Sequence, residues 1–273
     1  MKKRVIIFAP HQDDEILGCA GTIDLLNKSN IEIFIVFATN GDFYGKASAE
    51  IRLQESTTAL NALGIQEDHI IVLGFADTGM AYKESFLWKM YHSHAEETIN
   101  SPVSDSTYHP FDCEEYSKGK YGMHLPYTKK AFSYVLKSLI EDIKPDIIIT
   151  SSSLDMHGDH SALCRFIENT IDEMNINIRI YQYIIHSGND KEWPCRNSMY
   201  YTRPENVSED LWQRRITVEL DKSFDKKSLI ELFQSQLSPS GYLLSFAKRE
   251  EFFLDTKEVN SNEKDYIHFM EKI

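Results

Sequence analysis

Two short segments of the chain concentrate the groups that bind metal ions and move protons. The first, Pro10-His11-Gln12-Asp13-Asp14-Glu15, sets one imidazole beside three carboxylates. The second, Asp155-Met156-His157-Gly158-Asp159-His160, sets two imidazoles among acids. Two histidines and one carboxylate, with a fourth position left to water, are the usual ligand set of a catalytic zinc. Helix capping explains part of this pattern, because Asp and Glu are favoured in the first turn of any helix. It does not call for three consecutive acids, which repel one another, or for the histidines.

For the two clusters to act together, the fold must bring them to one place. Each follows an apolar run, Val5 to Phe8 before the first and Asp146 to Thr150 before the second. Ile31 to Phe37, His69 to Leu73 and Ile178 to Ile185 are runs of the same kind. Near-continuous Ile and Val suit strands covered on both faces, as in a parallel sheet.

Helical patterns lie between the strands. Glu15 to Leu26 carries apolar residues at 16, 17, 20, 23 and 26, one face of a helix. Ala47 to Leu63 stops before Gly64, Thr128 to Ile143 stops before Pro145, and a further helix starts near Ser161. The alternation predicts an α/β fold: a Rossmann-like, doubly wound, mostly parallel sheet with helices on both faces. In such a sheet the crevice lies at the carboxyl ends of the strands, and strand order reverses about the first strand. The first and fourth strands are therefore expected to be neighbours, with the two clusters facing each other.

The chain has 273 residues, 42% apolar and 26% charged, which suits one large α/β domain over 1–273. Residues 76–127 and 187–222 break the rhythm and read as irregular insertions, of the length that usually serves function. The net charge is −13 and no Lys/Arg cluster stands out, which argues against nucleic acid as a partner. No stretch approaches the ~20 apolar residues of a membrane span. Val5 to Pro10 is too short for a signal peptide, so a cytoplasmic protein is expected. Cys19, Cys113, Cys164 and Cys195 lie far apart, as reduced structural thiols do. A homo-oligomer remains open.

The two segments, in this order and spacing, resemble the LmbE-like (PIG-L) family of zinc-dependent N-deacetylases. That family's first motif usually reads Pro/Ala-His-Pro-Asp-Asp-Glu, matched by Pro10 to Glu15 with Gln12 in place of proline. Its second reads His-Pro-Asp-His, matched by His157 to His160 with Gly158 in place of proline. Neither replacement removes a ligating or titrating group. Ala38 to Asp42, Arg52, Glu55, Leu63-Gly64, Leu73-Gly74, Asp77, and Gly241 to Phe253 also follow the family pattern.

The resemblance implies one zinc per chain on His11, Asp14 and His160, with an amino-sugar amide as small-molecule substrate. It places Asp13 as general base and His157 at the developing oxyanion. Arg52 and Asp77 fall where the family contacts substrate. Asp159 is expected to hold the second nitrogen of His157 and keep that ring charged. The family often has a tyrosine shortly before the second motif; Leu154, Asp155 and Met156 occupy that stretch here, so such a role would fall to the Tyr-rich insertion. Trp88, Tyr91, Tyr108, Tyr116, Tyr121 and Tyr127 could stack on a sugar ring or pack the insertion's own core. His186 could approach the pocket or simply end its strand.

Other readings share parts of this pattern. A nucleotide-binding oxidoreductase would want a Gly-rich turn after the first strand, but Gly18-Cys19-Ala20-Gly21 falls within the helix. A metallo-phosphoesterase would want ligands for a second metal. A non-catalytic metal- or sugar-binding protein would not need Asp13 and His157. A metal-dependent hydrolase of another amide or an ester would use the same groups.

Overall fold

The apolar runs pair into the central part of one seven-stranded sheet. In the computed structural model, which describes residues 2–77, 82–188 and 193–255, the strands are β1 (Arg4–Ala9), β2 (Glu32–Thr39), β3 (Ile70–Phe75), β4 (Ile147–Ser151), β5 (Arg179–Tyr183), β6 (Ile216–Glu219) and β7 (Glu250–Asp255). Their order is β3-β2-β1-β4-β5-β7-β6. β1 to β5 pair in parallel, and β7 and β6 extend the sheet antiparallel beyond β5. β1 and β4 are neighbours, as the doubly wound reading requires.

Burial on both faces explains the continuous Ile/Val runs. Val5, Ile7 and Ala9 enter one core and Ile6 and Phe8 the other, the period of two expected of a strand. The helices are α1 (Asp14–Lys28), α2 (Lys46–Ala62), α3 (Phe86–His92), α4 (Tyr116–Tyr121), α5 (Lys129–Ile143), α6 (Gly158–Met174), α7 (Glu209–Gln213) and α8 (Lys226–Ile230). Apolar residues of α1 and α2 join the first core; those of α3, α5 and α6 join the second. The chain therefore has helices on both faces of its sheet. Among the described residues, no helix is long and apolar enough to cross a membrane.

Gly18 and Gly21 serve close packing within α1. A Cβ on Gly18 would lie 2.8 Å from the Tyr183 ring, and one on Gly21 would lie 2.1 Å from Leu220 Cδ2. Beside them the buried Glu251 of β7 accepts the N–H groups of Gly21 and Thr22, both at 2.8 Å, and the Lys226 ammonium at 2.7 Å. That carboxylate ties β7 to α1 and α8.

The two irregular regions contain more structure than their sequences suggest. The segment 187–222 holds α7 and β6. The insertion at 76–127 holds α3 and α4 and is pinned at its far end by Thr98–Thr128 and Ser106–Pro126 bridges. β5 ends at Tyr183, short of the Ile185 expected, because the Ile185 and His186 N–H groups turn to the Asp155 carboxylate.

Candidate active site

At the carboxyl end of β1, the chain turns sharply into α1. Thr39, at the end of β2, donates both its N–H and its hydroxyl to the Pro10 carbonyl, at 3.1 and 2.8 Å. The His11 N–H donates to Asp14 Oδ2 at 2.9 Å. Asp13 between them has φ 139°, a conformation side chains other than glycine rarely adopt. Its N–H donates to Glu15 Oε2 at 3.0 Å, and the Ser56 hydroxyl donates to the other Glu15 oxygen at 2.7 Å.

Asp14 lies between His11 and His160, while His11, His157 and His160, and separately His11, Asp77 and Asp159, bring one donor atom each within 4.8 Å of one another. Asp14 Oδ2 lies 3.3 Å from His11 Nδ1 and 3.2 Å from His160 Nε2. Ligands about 2.0–2.1 Å from a tetrahedral zinc sit about 3.3 Å apart. Neither nitrogen of the fully buried His160 has an aligned hydrogen-bond partner, despite a carboxylate oxygen close to each. Groups that point at a shared centre rather than at one another have this geometry, and the donor set fits a divalent metal ion.

Each imidazole has a buried carboxylate behind it. Asp159 Oδ2 is 3.2 Å from His11 Nε2, and Asp155 Oδ2 is 3.3 Å from His160 Nδ1. Burial alone would lower the His160 imidazole, but Asp14 and Asp155 overcome it and push it up to about 10. The carboxylates thus create a field that attracts positive charge. Burial raises the Asp13 carboxyl to about 6, with the Arg52 guanidinium restraining the rise. Glu15 behind it is pushed up to about 8 by burial, with the Ser56 hydroxyl opposing.

His157 caps the N-terminus of α6, and its Nδ1 accepts the Asp159 N–H at 3.3 Å. That bond places the ring's proton on Nε2. Burial, then the positive charge of His11, His160 and His186, hold its pKa well below the usual histidine range. The expectation of a charged His157 held by the Asp159 carboxylate is therefore corrected. The Asp159 carboxylate turns to His11 and to the Leu87 N–H, and the Asp159 backbone takes its place on a neutral ring.

Arg52 and Asp77 are brought to the same crevice. Arg52 Nη2 lies 3.5 Å from Asp13 Oδ2, and its Nη1 lies 3.9 Å from Asp77 Oδ2. The Asp77 N–H donates to Asp42 Oδ1 at 2.7 Å, while Asp77 Oδ1 is 4.0 Å from His11 Nε2. His186 also joins, its ring centre 5.2 Å from His157 and 5.0 Å from His160. Tyr242 stacks on His186 with centres 5.9 Å apart.

The aromatic insertion packs mostly against the rest of the domain. Tyr127 is buried against Phe75 and Phe86, Tyr91 meets Phe166 edge-on, and Tyr108 and Tyr116 donate to Asp42 and Asp142. Tyr82 runs along the second motif and donates its hydroxyl to Ser161 at 2.9 Å. Asp155 was the functional residue hardest to recognise: in sequence it merely filled the place of a tyrosine, yet it supports His160.

Comparison with known proteins narrows the chemistry. A diacetylchitobiose deacetylase of Thermococcus kodakarensis is 32% identical over 88 residues, 29% of this chain and 32% of that protein. A putative glucosamine-6-phosphate deaminase-like protein of Bacteroides thetaiotaomicron is 25% identical over 174 residues, 58% of this chain and 26% of that protein. The chain thus spans about a quarter to a third of the length of these relatives. The crystal structure of GalB, the 4-carboxy-2-hydroxymuconate hydratase of Pseudomonas putida KT2440, shares the fold with TM-score 0.57 at 10% identity, covering 96% of this chain and 100% of that one. A hydratase on the same scaffold means that the fold alone does not fix the reaction. Residues 6–171 match the family model described as PIG-L, GlcNAc-PI de-N-acetylase, and the chain belongs to that family.

Proposed function

We propose that the protein is a zinc-dependent hydrolase that removes the N-acetyl group of an N-acetylglucosamine-type sugar or sugar conjugate. The observation that carries this reading is Asp14 Oδ2 standing between His11 Nδ1 and His160 Nε2, with Asp13 beside it. Family membership supports deacetylation, and the diacetylchitobiose deacetylase supports an amino-sugar substrate.

His11, Asp14 and His160 would hold one zinc per chain. Zinc supplies polarisation of the amide carbonyl and a lowered pKa for its water. Asp13 accepts the proton of the attacking water, since its neighbour Asp14 is committed to the metal. His157 donates its Nε2–H to the oxyanion that develops on the acetyl carbonyl oxygen, as a neutral ring with Nδ1 anchored on the Asp159 N–H. The proton on Asp13 then passes to the departing nitrogen, so that an amine leaves rather than an amide anion. Arg52 and Asp77, lining the same crevice, bind the sugar hydroxyls. The product ammonium group meets an acidic site that includes Asp13 and Asp77.

Incubation of the zinc-loaded protein with N-acetylglucosamine, N,N'-diacetylchitobiose and simple acetyl esters, assayed for released acetate, tests this function. Turnover of the amides with one zinc per chain is expected. Release from esters alone would move the reading to an esterase. Sugar binding without acetate release would make it a binding protein.

A further inference from the structure

Gln12 stands between the ligand His11 and the base Asp13, and its side chain is fully buried. Its Nε2 donates to the Thr39 carbonyl at 2.8 Å, the same threonine that grips Pro10 through its N–H and hydroxyl. From the other side, Arg52 Nη2 donates to the Gln12 carbonyl at 3.1 Å. Residue 41 makes room for the amide by being glycine: a Cβ there would lie 2.3 Å from Gln12 Oε1, and Gly41 has φ +62°.

The next residue, Asp13, holds φ 139° and ψ −31°. Such a backbone persists only where its surroundings over-determine it. On its C-terminal side, Ile16 and Leu17 donate to the Asp13 carbonyl and Glu15 accepts the Asp13 N–H. On its N-terminal side the Gln12 amide holds the turn from within, beside the Thr39 hydroxyl on Pro10, Arg52 on the Gln12 carbonyl and the Asp14 carboxylate on the His11 N–H.

We propose that Gln12 is a positioning residue: through Thr39 and the space left by Gly41, its amide holds Asp13 in the strained conformation that aims the carboxylate. The proposal rests on the reading of Asp13 as general base. Gln12→Met keeps the volume and removes the donor. In the full-length zinc-loaded protein, its kcat is expected to fall about ten- to a hundredfold, as for a slightly misplaced catalytic group. KM should stay within about twofold, with one zinc retained per chain. Amide hydrogen exchange in the 10–17 segment should quicken, a readout independent of substrate. Gly41→Ala, which presses on the same amide and also on the Arg52 side chain 3.2 Å away, should quicken the same exchange.

Wild-type turnover together with wild-type exchange in Gln12→Met overturns the proposal, and so does a loss that follows zinc content or KM. Asp13→Asn is run alongside. If that variant stays active, or the wild type releases no acetate, the base assignment fails, while the exchange comparison still decides whether Gln12 holds the turn.

Discussion

Asp159 Oδ2 lies 3.2 Å from His11 Nε2 while Asp159 Oδ1 accepts the Leu87 N–H at 2.7 Å. One buried carboxylate thus joins the first motif, the second motif and helix α3 of the insertion. Asp155 plays the matching part on the other side, 3.3 Å from His160 Nδ1 and accepting the N–H groups of His157, Ile185 and His186.

A carboxylate behind a ligating imidazole fixes the ring's tautomer and raises its basicity. Asp155→Asn and Asp159→Asn are each expected to weaken zinc binding by about 10–100-fold. Competition against a chromophoric chelator measures it. Wild-type affinity in both variants would show that these carboxylates do not support the ligands.

Asp13 occupies a different position from its neighbour. Its carboxylate faces Arg52 rather than the two imidazoles that flank Asp14. Asp13→Asn should keep a full complement of zinc yet lower turnover by ~10²–10⁴-fold, the usual cost of losing a general base. Acetate release together with metal analysis gives both numbers from one preparation. Turnover near that of the wild type would move the base role elsewhere.

Much of this arrangement is legible in the sequence. The Ile/Val runs announced β1 to β5, because strands covered on both faces leave no polar alternation to misread. The His/Asp clusters announced a site able to hold a metal, because capping has no use for imidazole. β7 was harder: Glu250 and Glu251 look like surface residues, but their carboxylates are spent on the Tyr201, Gly21 and Thr22 N–H groups. The state of His157 was not legible at all. It depends on a backbone N–H at the start of α6, and side-chain patterns carry no record of that. The two readings of the aromatic insertion could not be separated for a similar reason, since Tyr127 and Tyr91 meet partners far along the chain.

Metal removal should be visible in stability as well as activity. A ligand at about 100 times its Kd adds ~2.7 kcal/mol to the folded state. For a chain of this size that corresponds to roughly 5–10 °C in Tm. Chelation is expected to lower Tm by that amount and zinc to restore it. His160→Ala should abolish the response, because it removes a proposed ligand whose Nε2 lies 3.2 Å from Asp14 Oδ2. Scanning calorimetry with and without zinc decides; a His160→Ala protein that keeps the zinc-dependent shift contradicts the ligand assignment.

Gly158 offers a test of how the insertion is seated on the site. It is the first residue of α6, directly after the cap His157, and a Cβ there would lie 1.9 Å from the Tyr82 carbonyl oxygen and 2.7 Å from Ser85 Oγ. The nearest obstacle is backbone, so no rotamer change relieves it. Gly158→Ala must push apart the start of α6 and the 82–85 segment, at about 1–3 kcal/mol. Separation would also stretch the Leu87–Asp159 bond and disturb the Asp159 N–H that anchors His157. The expected result is a Tm lower by several degrees with a drop in turnover. Gly119→Ala is the control: it lies within α4, and its Cβ would meet only Glu114 Oε2 at 3.8 Å. If Gly158→Ala proves as stable and active as that control, the 82–85 segment does not rest on the second motif in solution.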